Sequence, residues 1–163
     1  MELTDIMPVE DWVALQNELH ERFKLNADVM DKEGKRLAGN TWGNDLCKAI
    51  REDKKGFGAI CATAGQMFVQ MLQNAKEPFA EECDAGMMRI SVPIIVDGEF
   101  IGGVGGCGLV ADDGEVDEFT IDMMSDLDAE KIAQAAKGVS VATEAQVKEI
   151  QDFIQGRIAK AIS

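Results

Sequence analysis

The sequence predicts an α+β fold in which helices flank one antiparallel sheet and a long helix ends the chain. Three observations support this prediction. Extended segments follow one another after Pro78, helical patterns occupy both ends of the sequence, and an Asp97-Gly98 pair separates two runs rich in β-branched residues. An Asp-Gly pair between such runs is a strong signal for a tight hairpin. Consecutive strands with helices set apart from them are typical of α+β domains.

Length and composition predict one domain, spanning residues 1–163. The chain has 163 residues, 46% of them hydrophobic, which is slightly above the common domain size of about 100 to 150 residues. Its 16 basic and 30 acidic residues give a net charge of −14, so direct binding to nucleic acid phosphates is not expected. The N-terminus carries acidic residues where a secretory signal would carry basic ones. No segment approaches the roughly 20 consecutive apolar residues that a membrane helix needs. We therefore expect a soluble, cytoplasmic protein that does not bind membranes.

The N-terminal part is predicted to form a helix and then a hairpin. Apolar residues recur at helical spacing over 9–23, after a proline, Pro8, at a position where a helix tolerates a missing N–H. Turn-forming residues then separate two short extended runs within 28–37. The only histidine, His20, lies off the apolar face of the helix and is predicted to have no catalytic role.

The middle of the chain is predicted to contain two helices, over about 44–53 and 61–75, separated by a break at Gly56-Phe57-Gly58. Extended segments follow over 79–83, 88–96 and from residue 99 into a glycine-rich run. Because proline cannot donate to a β-ladder, we expect Pro93 at a sheet edge or a bulge.

The C-terminal third is predicted to be largely helical. Thr143 and Gln146 have the spacing of a capping box, and an apolar stripe follows for roughly 20 residues. Such a helix packs on its own sheet or pairs with a second copy in a homodimer, and we favour the first. The segment 112–130 carries nine acidic and no basic residues. We interpret it as a solvated face, with a basic protein partner as the alternative.

The cysteines are the first candidates for a functional site. They come from different predicted elements and lack the close spacing of zinc ribbons or redox motifs. If each cysteine lies apart from the others, it is expected to act as a small buried hydrophobic residue. If the four meet in one pocket, their soft thiolates would favour binding of zinc, copper(I) or iron. The predicted metal ligands are Cys47, Cys61, Cys83 and Cys107. No catalytic residue is predicted, because a cysteine nucleophile needs a base and the chain has one imidazole.

The glycine-rich run 102–108 is the second candidate, with five glycines in seven residues. Glycine within a strand marks close approach of a ligand or another backbone. Gly103-x-Gly105-x-x-Gly108 matches a dinucleotide fingerprint as a string, but the chain continues as a strand instead of opening a helix, so we reject a nucleotide site. The residues predicted to contact a ligand are Cys83, Gly86, Met88, Gly103, Gly105 and Cys107.

Taken in order, several stretches resemble the PocR-type ligand-binding sensory domain. They are Leu46-Cys47-Lys48-Ala49-Ile50-Arg51, Cys61, Glu82-Cys83-Asp84-Ala85-Gly86-Met87, Val92-Pro93-Ile94 and Gly98-Glu99-Phe100-Ile101-Gly102 with the glycine strand after it. The resemblance covers roughly residues 8–110 and implies a PAS/GAF-like sensor fold that binds a small molecule, such as a simple hydrocarbon derivative. It also implies that Cys47, Cys61 and Cys83 occupy recurrent cysteine positions. Cys107 departs from the family pattern, in which a polar residue such as Gln is expected.

Two hypotheses of function follow. The first is a small-molecule sensory domain that acts in signal transduction without catalysis, its terminal helices presenting the bound state to a signalling partner protein. The second is a protein that holds zinc or iron through cysteine thiolates for redox sensing. The resemblance implies an output module that this sequence does not carry, so we expect either a separate sensor subunit or an excised domain.

Overall fold

The computed structural model describes all 163 residues and contains a five-stranded sheet with helices on both faces. The helices are α1 (Leu3–Ile6), α2 (Val9–Phe23), α3 (Asp45–Glu52), α4 (Lys54–Gly56), a π-helix (Phe57–Ala62), α5 (Thr63–Asn74), α6 (Glu118–Met124), α7 (Ala129–Ala136) and α8 (Glu144–Ile162). The strands are β1 (Asn26–Asp31), β2 (Phe79–Glu82), β3 (Met88–Val96), β4 (Glu99–Ala111) and β5 (Ser140–Ala142). The predicted α+β class, with an antiparallel sheet, flanking helices and a long C-terminal helix, is confirmed. No helix has the length and apolar character needed to cross a membrane.

The four longer strands follow the order β1-β4-β3-β2, and each neighbouring pair is antiparallel. The short strand β5, which the sequence did not predict, pairs with the end of β4 in parallel. Asp97 and Gly98 both have positive φ at the β3–β4 turn, so the predicted hairpin is confirmed. Pairing of β3 with β2 ends at Ser91. Pro93 therefore lies where β3 has only β4 beside it, which agrees with the predicted edge position.

Helix α2 has the predicted bounds, and it ends where Lys24 adopts a left-handed conformation with φ of 63°. The hairpin predicted within 28–37 is only partly formed. The return run contacts β1 through an isolated bridge between Met30 and Arg36 and does not become a strand. After a turn at Gly39, with φ of 59°, the chain contacts β1 once more through an isolated bridge between Thr41 and Ala27, so the outer edge of β1 has no continuous partner strand.

The predicted helix break at Gly56-Phe57-Gly58 is wrong. The backbone stays helical from α4 into the π-helix, and the interruption lies earlier, at Asp53, whose backbone is extended. The Asp53 carboxylate accepts a hydrogen bond from Gly56 N at 2.7 Å and so caps α4. Gly56 is buried, and a Cβ there would lie 3.2 Å from Ser125 Cβ. The glycine thus serves close packing within a helical segment and does not end it.

Two apolar cores lie on opposite sides of the sheet. The larger one is formed by α2, α8 and one face of β1, β3 and β4, and it includes Ile150, Ile154 and Ile158 of α8. The capping box at Thr143 is formed in both directions, and the predicted packing of this helix on its own sheet is confirmed. The smaller core joins α3, the π-helix, α6 and α7. Part of the acidic segment 112–130 forms α6, with Asp117 as its N-cap.

Candidate ligand-binding site

A small enclosed cavity lies between the sheet and the helical segment from α3 to α5. Its volume is about 70 Å³ and its walls are mostly hydrophobic, including Ile50, Ile60 and Phe68. A water molecule needs roughly 10 to 15 Å³ by the same measure. The cavity therefore accommodates a few waters or an organic molecule of only a few heavy atoms.

All four cysteines of the chain line this cavity. Cys47 lies on α3, Cys61 in the π-helix, Cys83 directly after β2 and Cys107 in β4. Each is a free thiol and partly buried. Residues up to 60 positions apart in sequence thus meet at one site, because the helices fold back over the sheet.

Three of the four cavity thiols favour their protonated form. Burial is the main cause that raises the pKa of Cys47, raises that of Cys61 to about 11, and raises that of Cys83. Since the thiolate is the nucleophile, these three protonated thiols are weak nucleophiles near neutral pH. The structure also contains no group of three or more His, Cys, Asp or Glu side chains placed to hold a metal ion. The four thiols give the cavity a weakly polar wall.

Asn44 fixes the helix that carries Cys47. Its side-chain oxygen accepts a hydrogen bond from Cys47 N at 2.7 Å, which caps the start of α3. Its amide nitrogen donates to Gly108 O on β4 at 3.0 Å. One side chain therefore both begins α3 and attaches it to the sheet. Cys47 Sγ is then held 3.6 Å from Met87 Sδ in the opposite wall.

A buried ion pair forms part of the sheet face below the cavity. The Arg89 guanidinium donates to both oxygens of Asp28, at 2.6 and 3.0 Å, and both residues are almost fully buried. Arg89 also donates to Ser91 Oγ at 3.2 Å and lies 3.5 Å from Cys107 Sγ. Burial alone would lower the pKa of Arg89, but the Asp28 carboxylate outweighs it and the pKa is raised. Such a bidentate pair fixes the two strands relative to each other.

The sheet register explains how Arg89 reaches Asp28. Asp28 on β1 and Ser91 on β3 both pair with Gly105 on the strand between them. The guanidinium therefore crosses β4 at a residue without a side chain. A Cβ at Gly105 would lie 1.9 Å from Ile90 O, so the close strand contact itself also requires glycine.

Two further arginines line the cavity, Arg36 and Arg51. Arg36 Nε donates to Asp28 Oδ2 at 3.2 Å. Arg51 lies one helical turn after Cys47 on α3, where its guanidinium packs 5.1 Å from the ring centre of Phe57 and 5.9 Å from that of Trp42. It forms no ion pair with any of the carboxylates. Burial, followed by the positive charge of Arg36, lowers the pKa of Arg51.

The π-helix contributes Ile60 and Cys61 to the cavity wall. Its wider turn aims these side chains differently from those of a regular α-helix, and such turns are frequent at functional sites. An open groove of about 540 Å³ adjoins the cavity at the π-helix and α5. The residues that line both the groove and the cavity are Met30, Arg36, Arg51, Cys61 and Gly65. These five shared residues, which we call the throat, lie where the cavity adjoins the open groove.

Four of the residues predicted to contact a ligand do not line the cavity. Met88 packs into the larger core on the other face of the sheet, and its neighbour Met87 lines the cavity instead. This follows from the alternation of side chains along an extended chain. Gly86 lies on a surface groove beside the acidic segment, and Gly103 lies under Leu72, whose side chain a Cβ would approach to 2.4 Å. The fourth residue is Gly105, at the ion pair. Of the six, only Cys83 and Cys107 lie at the cavity.

The sequence analysis did not identify the charged residues of the site. Arg36, Arg51 and Arg89 line the cavity, and Asp28 pairs with two of them. One signal was available for Arg51, since its spacing of four residues from Cys47 within a predicted helix places both on one face. For Asp28 and Arg89 no local pattern exists, because 61 residues separate them.

A comparison with protein families shows which family the chain belongs to. The sequence model of the family described as "Sensory domain found in PocR" matches residues 5–163, which is essentially the whole chain. No curated protein matches the sequence. The resemblance seen in the sequence covered roughly residues 8–110. The family match extends it through the C-terminal helix.

Proposed function

The chain belongs to the family of PocR sensory domains, and from this premise we propose that it senses a small molecule bound in the cavity between the sheet and α3–α5. The proposed role is in signalling, with no chemical turnover of the ligand. The observation that carries this proposal is the enclosed, mostly apolar cavity of about 70 Å³ that all four cysteines line. Small-molecule sites are usually apolar with a few convergent polar groups, and this cavity has the same chemistry at a smaller volume.

The chemistry of the cavity supports binding over catalysis. Raised pKa values keep the thiols of Cys47, Cys61 and Cys83 protonated at neutral pH, and a protonated thiol is a weak nucleophile. The only histidine is His20, whose Nδ1 lies 3.3 Å from Leu25 O. It does not line the cavity. No histidine, aspartate, glutamate or lysine lines the cavity, so a general base is lacking among its lining residues.

The sheet offers a route from the ligand to the terminal helices. On β3, Arg89 belongs to the cavity wall, while the adjacent Ile90 belongs to the core that α8 covers. A ligand that shifts the Arg89 side of the strand changes the surface on which α8 packs. The ligand would shift the population toward the positions of α8 that favour its binding, by an amount set by the difference in affinity between those positions. We propose α8 as the element that a signalling partner protein recognises.

Two glycine variants test whether ligands bind in the cavity. Gly65 lines it and Gly58 does not, yet a Cβ at either would meet open space. We expect Gly65→Leu to obstruct the throat, while Gly58→Leu changes helix propensity alone. Thermal-shift measurements with C2 to C4 alcohols, diols, amides and carboxylates give the readout. A compound that raises the melting temperature of wild type and Gly58→Leu, and not of Gly65→Leu, supports the proposal. Equal responses of both variants would place binding elsewhere.

The second hypothesis, a thiolate-bound zinc or iron, retains one favourable observation, the shared position of the four cysteines at the cavity. Their geometry does not favour it. Elemental analysis and an absorption spectrum of anaerobically purified protein, with each Cys→Ala variant beside the wild type, test it directly. Stoichiometric metal that is lost on replacing Cys47, Cys61 or Cys83 would establish the metal hypothesis. Wild-type protein without metal would reject it.

A further inference from the structure

We propose that the ligand of this cavity is a small monoanion, a short-chain carboxylate whose charged group lies at Arg51 and whose apolar end points toward the thiols. This inference rests on the proposed function, since it names the chemical class of ligand for the same cavity. It is carried by three features: the charge of the lining residues, the lack of an anionic partner for Arg51, and the position of Arg51 at the throat.

The first feature is an imbalance of charge. Three guanidinium groups line the cavity and no carboxylate lines it. The one buried carboxylate nearby, Asp28, pairs with Arg89 and Arg36, so three positive charges face one negative charge and two remain uncompensated. The chain as a whole carries a net charge of −14. A positively charged cavity in such an acidic molecule is a local feature that an anion would find selectively.

The second feature is Arg51 itself. Its guanidinium is partly buried, stacks against two aromatic rings and has no carboxylate partner. Glu33 lines the outer groove but forms no ion pair with this arginine. A partly desolvated cation without a counter-charge is costly, and a bound carboxylate would remove that cost. The planar fork of arginine matches a carboxylate with two parallel hydrogen bonds.

The third feature is location. Arg51 and Arg36 belong to the throat, since both line the open groove and the enclosed cavity. Beyond them the wall is formed by groups such as Ile60, Phe68 and Cys47. A ligand with one charged end and a short apolar end fits this order of surfaces. The volume of about 70 Å³ limits the apolar end to a few carbon atoms.

Matched acids and amides separate the charge from the shape of the ligand. The probes are formate, acetate and propionate against formamide, acetamide and propionamide, at ionic strength matched with sodium chloride. We expect at least one carboxylate to bind wild-type protein about tenfold or more tighter than its amide. Binding is followed by calorimetry and by the shift in melting temperature relative to each variant without probe.

Arginine variants locate the charge. Arg51→Gln is expected to weaken carboxylate binding by about tenfold or more, and Arg51→Lys by less, since lysine keeps the charge and loses the fork. Arg22→Gln is the matched control, because Arg22 also stacks on two aromatic rings, Phe23 and Phe153, away from the cavity. It should bind like the wild type. Comparing each variant with its own melting temperature removes the effect of any loss of stability.

Several results would overturn the proposal: an amide that binds as tightly as its acid, an Arg51→Gln variant with undiminished binding, or no response to the whole acid series. If a neutral compound binds wild type and Gly58→Leu but not Gly65→Leu, the cavity is a ligand site and only the anionic class is wrong. If acids bind Gly65→Leu and wild type equally, the cavity itself is not the site and the proposed function fails as well.

Discussion

At the scale of single residues, the Asp28–Arg89 pair is the most constrained interaction of the sheet. Both side chains are within 3% of full burial, and the desolvation of two ions largely offsets their attraction. Such a pair adds little net stability compared with apolar residues, yet losing one partner leaves a buried charge without compensation. Its structural effect is to hold β1 and β3 at a fixed offset across β4, on the face where the cavity opens.

We therefore expect Asp28→Asn to lower the free energy of unfolding by about 3 to 5 kcal/mol. The substitution keeps the shape of the side chain and removes the charge that balances Arg89 and part of that of Arg36. Urea unfolding followed by circular dichroism measures the change. The double variant Asp28→Leu/Arg89→Met should lose much less, because it leaves no unpaired buried ion. A double variant as unstable as Asp28→Asn would contradict this account.

At the scale of elements, strand β4 shows what its glycines do. The sequence predicted that something lies close against this strand. A Cβ at Gly102 would come within 2.3 Å of Met30 O on β1, one at Gly105 would meet β3, and one at Gly103 would meet Leu72 of α5. The close neighbours are thus the two adjacent strands and a covering helix. The glycines set how tightly the layers approach, and the cavity forms beside them, near Cys107.

Helix α8 depends on its N-terminal cap. Thr143 Oγ1 accepts a hydrogen bond from Gln146 N at 3.1 Å, and the Gln146 side chain accepts one from Thr143 N at 2.8 Å. We expect Thr143→Ala to cost about 1 kcal/mol of unfolding free energy, and Thr143→Ser to cost far less, since serine keeps the hydroxyl. Chemical denaturation measures the loss, and hydrogen exchange should show faster opening of the first turn of α8. Equal losses in both variants would exclude the hydroxyl as the cause.

At the scale of the whole molecule, the sheet separates two regions with different tasks. The larger core joins α2 and α8 to one face, while the other face carries the cavity, the ion pair and the shorter helices. The larger core therefore lies on the face opposite the cavity, and we expect local opening around the cavity to cost less free energy than global unfolding.

The buried thiols predict a loss of stability at alkaline pH. Burial raises the pKa of Cys61 from its ordinary value of 9.0 to about 11. Below pH 9 this thiol is protonated in both states and does not affect the equilibrium. Above it the unfolded state releases the proton first, so the free energy of unfolding falls as pH rises toward 11. Urea unfolding at several pH values measures the slope. Cys61→Ser, which has no titrating group, should show a smaller decrease, and an unchanged slope would contradict the assignment to this thiol.

The sequence by itself determined the features that depend on neighbouring residues. The bounds of α2, the Asp97-Gly98 turn and the cap of α8 each follow from residues within a few positions of one another, because caps, turns and amphipathic faces are local. The class of the fold follows from the order of these elements, and the family resemblance follows from the order of short motifs.

Only the tertiary structure decided the site. The backbone stays helical at Gly56-Phe57-Gly58, where the sequence predicted a break, and Gly56 packs closely against Ser125, the residue that follows α6. The four cysteines, the arginines of the throat and the Asp28–Arg89 pair come from separate parts of the chain. Their meeting depends on strand register and on the way helices α3 to α5 cover the sheet. Contacts between distant residues leave no periodic trace in one sequence, so the charge of the cavity became visible only in the folded molecule.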